Sequence, residues 1–83
     1  MKPLNILIVE DGKTQRNLLR DFLKGAGHKV SEAEKGDDAI TGLKRDYFDL
    51  VLLDYKLPGM DGMDVLQQIK HLNPETDVIM MTA

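Results

Sequence analysis

The stretch Leu50–Asp54, which reads LVLLD, decides the fold because it places four apolar residues directly before an acid. Two more stretches follow the same pattern: Ile6–Val9 (ILIV) before Glu10-Asp11, and Val78–Met81 (VIMM) before Thr82. Short continuous apolar runs without alternation are typical of strands covered on both faces of a parallel sheet. The three runs therefore predict three buried parallel strands, each ending in polar side chains.

Amphipathic segments between these runs predict three helices. In the first helix an apolar stripe is expected to face the sheet, while Arg16 lies among the residues assigned to solvent; the stripe is Leu18, Leu19, Phe22, Leu23 and Ala26. The second helix begins near Gly36, and the third begins at an Asp61 cap and closes at Asn73-Pro74. The partly polar His28–Ala33 predicts an edge strand. The resulting order, β-α-β-α-β-α-β, predicts an α/β fold with a parallel sheet and helices on both faces.

Composition excludes several classes of protein. The 83 residues carry 11 Lys and Arg against 14 Asp and Glu, a net charge of −3, so no basic face for nucleic acid is expected. There is no cysteine, which excludes disulfides and thiolate metal sites. No apolar run approaches the roughly 18 residues of a membrane span, and the apolar run after Asn5 is too short for a signal peptide. We therefore expect a cytoplasmic protein without direct nucleic-acid or membrane partners.

The residues that end the apolar runs are the candidate site. Ligands of open parallel sheets bind beyond the carboxyl ends of the strands, so Glu10, Asp11, Asp54 and Thr82 are expected to lie together. Three neighbouring carboxylates repel one another, and a hard cation such as Mg²⁺ relieves that repulsion. A carboxylate can also attack phosphorus and form an aspartyl phosphate. Asp54 is the best nucleophile candidate because it lies centrally, and Thr82 would offer its hydroxyl to the phosphoryl group.

Two other phosphate-handling sites fit the sequence less well. Gly12-Lys13-Thr14 matches the end of a P-loop, but that motif needs a glycine where Leu7 stands. The apolar strand before Asp54 is also similar to that of haloacid-dehalogenase-type phosphatases, whose second acid lies two residues later. Here that residue is Lys56, which argues against an enzyme of that type.

The chain resembles the receiver domain of bacterial two-component response regulators over all 83 residues. Three blocks carry the resemblance: Ile6–Asp11 (ILIVED), Leu50–Gly62 (LVLLDYKLPGMDG) and Val78–Ala83 (VIMMTA). The resemblance implies a flavodoxin-like, three-layer fold with sheet order 2-1-3-4, and residues 1–83 as the N-terminal portion of the domain. The amino-acid sequence around Asp54 is most similar to that of regulators of sigma-54-dependent transcription.

The resemblance also implies roles for individual residues. Asp54 would accept a phosphoryl group from a sensor histidine kinase, which makes the chain a signalling phosphoacceptor rather than an enzyme. The implied Mg²⁺ ligands are Asp11, Asp54 and the backbone carbonyl of Lys56, with Glu10 acting through water. Thr82 would be the switch hydroxyl, and the Ala83 amide would help to hold the phosphoryl group. The kinase would contact the first helix at Gln15, Arg16 and Leu19.

The sequence departs from the family pattern at its end. The family continues with a fourth helix, a fifth strand that ends in a phosphoryl-binding Lys, and a fifth helix, whereas this chain stops at Ala83. We therefore expect a truncated receiver with impaired phosphorylation, and an open edge on the fourth strand that favours self-association. The alternative is a receiver-like interaction module that works without phosphorylation.

Overall fold

Four parallel strands form one sheet, and three helices cover it, in the computed structural model, which describes residues 2–81. A two-stranded hairpin follows the third strand. The elements are β1 Asn5–Val9, α1 Lys13–Gly25, β2 Lys29–Ala33, α2 Gly36–Arg45, β3 Leu50–Asp54, β4 Lys56–Leu57, β5 Met60–Asp61, α3 Gly62–Leu72 and β6 Asp77–Met81. The third helix begins as predicted, because the Asp61 side chain accepts a hydrogen bond from the Met63 amide.

The sheet has the order β2-β1-β3-β6, with every neighbouring pair parallel. The predicted order 2-1-3-4 is therefore confirmed, with β6 as the fourth strand. The register pairs Val9 with Leu53 and also with Ala33. The carboxyl ends of the two central strands, β1 and β3, thus lie side by side at one edge of the sheet.

The main core lies between the sheet and helices α2 and α3. Its fully buried members come from the sheet and from both helices: Val9, Val51 and Leu53 of the sheet, Ala39 of α2, and Val65 and Ile69 of α3. Helix α1 covers the other face, above Ile6 and Ile8 of β1, which are also buried. The predicted three layers of helix, sheet and helix are confirmed.

The predicted apolar stripe of α1 is wrong at three positions, since Leu18, Phe22 and Ala26 are exposed. Leu18 is 64% exposed and Phe22 is 74% exposed, whereas Arg16, which was expected in solvent, is only 8% exposed. Leu19 and Leu23 are half-buried against the sheet. The helix is rotated in this way because Arg16 reaches acceptors at the ends of β1 and β2. Within residues 2–81, α1 is the one helix on this face of the sheet, so no second helix covers Leu18 and Phe22.

Strands β3 and β6 are also less covered than their continuous apolar runs predict. Leu52 is half-buried, and Ile79, its partner in the register, is 53% exposed. Both lie on the α1 side of the sheet, since Leu52 is also paired with the Ile8 that α1 covers. Helix α1 packs against β1 and β2, so the part of this face formed by β3 and β6 has no helix over it in the described part of the chain.

Two of the predicted site residues, Thr82 and Ala83, lie outside the described residues. Among residues 2–81 no helix combines the length and the apolar character needed to cross a membrane.

Candidate metal and phosphoryl site

The ends of β1 and β3 bring three acids together. Glu10 follows β1 directly, and its amide donates to the Ala33 carbonyl at 3.0 Å, which continues the β1–β2 ladder by one residue. Asp54 is the last residue of β3. Carboxylate oxygens of Glu10, Asp11 and Asp54 all lie within 4.8 Å of one another. The structure therefore assembles the carboxylate trio that the sequence predicts.

The trio carries negative charge that no ion pair within residues 2–81 neutralises, because none of those ion pairs involves Glu10, Asp11 or Asp54. The pKa of Glu10 is raised from 4.5 to about 7, first by burial and then by the hydrogen bond and negative charge of Asp54. The charge of Asp11 acts in the same direction, while the Gly12 amide opposes it. Burial and the neighbouring acids thus both disfavour the ionised form of Glu10.

The donor set of the trio fits Mg²⁺. All three side chains offer hard carboxylate oxygens, the ligand type that Mg²⁺ prefers. A divalent cation would offset the repulsion by Asp54 and Asp11, which contributes to the raised pKa of Glu10. Asp11 is exposed and Asp54 is half-buried, so the site is open to solvent and to the waters that Mg²⁺ retains.

The segment after β3 is folded back toward Asp54. The Asp54 Oδ1 atom accepts a hydrogen bond from the Lys56 amide at 3.1 Å. Strands β4 and β5 then pair around a turn at Pro58 and Gly59. The φ of Gly59 is 71°, which suits the third residue of a type II turn. This hairpin keeps the backbone of Lys56 beside the acid.

A close approach of α3 to this segment holds the hairpin in place. The Gly62 amide donates to the Tyr55 carbonyl at 3.3 Å. A Cβ atom at Gly62 would lie 2.7 Å from that carbonyl oxygen, so only glycine fits here without movement. The Tyr55 amide in turn donates to the Met81 carbonyl at 2.9 Å, which ties the residue after Asp54 to β6.

Arg16 is the residue near this site that sequence reasoning assigned wrongly. Its buried guanidinium donates to the Glu10 carbonyl at 2.9 Å and pairs with Glu32 and Glu34, each at 3.2 Å. Its assignment to the solvent-facing surface of α1 is therefore wrong. A signal was present in the sequence: an arginine in the first helical turn, and two glutamates at the end of the neighbouring strand.

A family model described as the response regulator receiver domain matches residues 6–83 of this chain. Two curated relatives are transcriptional regulatory proteins. The chain is 39% identical over 80 residues to ZraR of Salmonella typhimurium, an alignment that covers 96% of this chain and 18% of that protein. It is 46% identical over 79 residues to ResD of Bacillus subtilis, covering 94% of this chain and 32% of that protein.

Among solved structures, the chain is similar to the response regulator protein TrrA of Thermotoga maritima, which was crystallised in complex with Mg²⁺ and BeF. The TM-score is 0.91 at 34% sequence identity, and the match covers 100% of this chain and 70% of that one. The present chain thus spans less than a third of the length of the two curated relatives.

Proposed function

The chain belongs to the response regulator receiver domain family, and from this premise we propose that Asp54 is its phosphoacceptor and a sensor histidine kinase the donor. One observation carries the proposal: the oxygens of Glu10, Asp11 and Asp54 lie within 4.8 Å of one another at the carboxyl ends of β1 and β3. A carboxylate nucleophile beside a metal-binding acid pair is the arrangement that phosphoryl transfer to aspartate needs.

The two oxygens of Asp54 have different surroundings, which assigns them different roles. Oδ1 accepts the Lys56 amide hydrogen bond. Oδ2 is therefore the oxygen assigned to the attack on phosphorus: its O–P bond forms while the P–N bond of the phosphohistidine breaks and the imidazole leaves. Asp54 remains phosphorylated until water hydrolyses it, so the chain acts as a signalling phosphoacceptor and not as an enzyme with a turnover substrate.

The proposed Mg²⁺ ligands are Asp11, Asp54 and the Lys56 carbonyl, with Glu10 acting through water. Support comes from the carboxylate trio and from the Lys56 amide, which keeps that residue beside Asp54. When bound, Mg²⁺ supplies charge neutralisation at the transferring phosphoryl group. The Thr82 hydroxyl and the Ala83 amide are proposed as further phosphoryl contacts.

Beryllofluoride, a stable mimic of an aspartyl phosphate, provides the test. We expect ¹⁹F NMR of the chain with Mg²⁺ and beryllofluoride to show a bound signal that Asp54→Asn abolishes. Asp64→Asn is the matched control, since Asp64 is an exposed acid on α3 that does not belong to the carboxylate trio. It should leave the signal unchanged.

A second measurement addresses the phosphodonor. Intact-mass analysis after incubation with a small phosphodonor should show one phosphoryl group, at low yield because the phosphoryl-binding Lys of the family is not among these 83 residues. A bound beryllofluoride signal that survives Asp54→Asn would overturn the assignment of Asp54. Absence of both Mg²⁺ and beryllofluoride binding would favour the alternative, an interaction module that works without phosphorylation.

We also propose that the 83-residue chain self-associates through β6. Within residues 2–81, β6 pairs with β3 on one side and with no strand on the other. An unpaired edge offers free amide and carbonyl groups to a second copy, and the exposed side chain of Ile79 adds apolar surface beside it.

A further inference from the structure

Arg16 connects three segments that meet at the acidic edge of the sheet. Its Nη1 atom donates to the Glu10 carbonyl at 2.9 Å and lies 3.5 Å from the Asp11 carbonyl. Its Nε and Nη2 atoms pair with Glu32 of β2 and with Glu34, each at 3.2 Å. The side chain is 10% exposed, so these contacts are made away from bulk solvent.

The loop that Arg16 holds has few other anchors. Helix α1 begins after Gly12, which has no side chain to cap it, and the first turn of the helix contains no acidic residue. The Glu10 amide is fixed by the Ala33 carbonyl, and the Gly12 carbonyl accepts the Arg16 amide at 2.9 Å. Between these two points, the Glu10 and Asp11 carbonyls are held by the Arg16 guanidinium.

We propose that Arg16 is a positioning residue for the metal site, holding the main chain of Glu10 and Asp11 so that their carboxylates converge with Asp54. The inference rests on the proposed function, since it assigns Arg16 a role toward the Mg²⁺ ligands of that site. Mutual repulsion of the acids favours a loop that opens outward. Arg16 opposes this movement through the carbonyls and leaves the carboxylates free for the metal.

The test compares Mg²⁺ affinity, measured by isothermal titration calorimetry, among matched variants. Arg16→Met should weaken Mg²⁺ binding about 10- to 100-fold, the usual effect of removing a group that orients metal ligands. Arg20→Met is the control, because Arg20 lies one turn later, carries the same charge and also pairs with Glu32, at 3.6 Å. It should bind Mg²⁺ within about twofold of the wild type, since it does not touch the loop.

The variant Arg16→Lys distinguishes the effect of the hydrogen-bond geometry of Arg16 on Mg²⁺ affinity from the effect of its positive charge. Lysine keeps the positive charge but cannot reach carbonyl and carboxylate acceptors through a planar fork, so we expect its Mg²⁺ affinity to stay well below that of the wild type. Full recovery of affinity in Arg16→Lys, or equal losses in Arg16→Met and Arg20→Met, would overturn the inference. If Arg16→Met fails to fold, the Mg²⁺ affinity of Arg16→Lys is compared with that of the wild type instead.

Amide hydrogen exchange without metal distinguishes failure of this inference from failure of the proposed function. In Arg16→Met the Glu10 and Gly12 amides should exchange at least about tenfold faster, while amides in α3 stay unchanged. If the wild type binds no Mg²⁺, the proposed function fails, and the exchange result alone decides whether Arg16 positions the loop. Unchanged exchange at Glu10 and Gly12 would contradict the inference.

Discussion

Glu10 links the stability of the fold to pH. Its pKa is about 7 in the folded chain against an ordinary value of 4.5, so between these values the folded state holds a proton that the unfolded state has released. The free energy of unfolding therefore has its full Glu10 contribution below the lower pKa and loses it as pH rises through the higher one. In Glu10→Gln we expect this decline to disappear. Urea unfolding in EDTA at several pH values measures it.

Glu75→Gln is the control for this titration, because Glu75 is exposed and distant in sequence from the trio. It should retain the decline seen in the wild type. Parallel stability curves for wild type and Glu10→Gln across about pH 5 to 8 would show that Glu10 does not carry the proton.

At the scale of elements, replacing either of two helix glycines with alanine should change the free energy of unfolding, in opposite directions at the two positions. A Cβ at Gly62 would lie 2.7 Å from the Tyr55 carbonyl oxygen and 2.9 Å from its Cα, so Gly62→Ala forces α3 away from the hairpin. We expect a loss of about 1–3 kcal/mol in the free energy of unfolding, the usual cost of overpacking. A Cβ at Gly42 of α2 meets nothing within 4 Å.

Gly42→Ala should therefore stabilise the chain by about 0.5–1 kcal/mol, since alanine restricts the unfolded backbone and favours helix. Urea unfolding measures both variants under one set of conditions. A stabilising Gly62→Ala, or losses of similar size in both variants, would contradict the contact between Gly62 and Tyr55.

At the scale of the whole molecule, β6 is where the chain should meet a second copy. The sheet edge formed by Asp77–Met81 is unpaired in the described part of the chain, and Ile79 is 53% exposed beside it. We expect sedimentation velocity to show association that increases with concentration and that Ile79→Lys weakens, because charge beside an edge opposes strand pairing.

Leu72→Lys is the matched control, because Leu72 is also apolar and 41% exposed but lies on α3, across the sheet from Ile79. It should leave the association unchanged. A wild-type chain that sediments as a monomer at every concentration would rule out self-association, and equal effects of both lysines would point to a contact elsewhere.

The strand order was implied by the family resemblance, whereas the apolar runs and their terminal acids by themselves determined the parallel sheet and the carboxylate trio. These features follow from patterns that are local in sequence: a run of apolar residues makes a buried strand, and parallel strands all end at one edge. Asp54 could therefore be placed beside Glu10 and Asp11 before any contact was known.

Only the tertiary structure decided which face of α1 meets the sheet, and what holds the loop that carries two of the acids. Apolar periodicity predicted Leu18 and Phe22 inside and Arg16 outside, and all three are reversed. Periodicity reports which residues a helix can bury, whereas the rotation depends on the acceptors at the strand ends. The Glu10 carbonyl and the side chains of Glu32 and Glu34 meet at Arg16 only after β1 and β2 have paired.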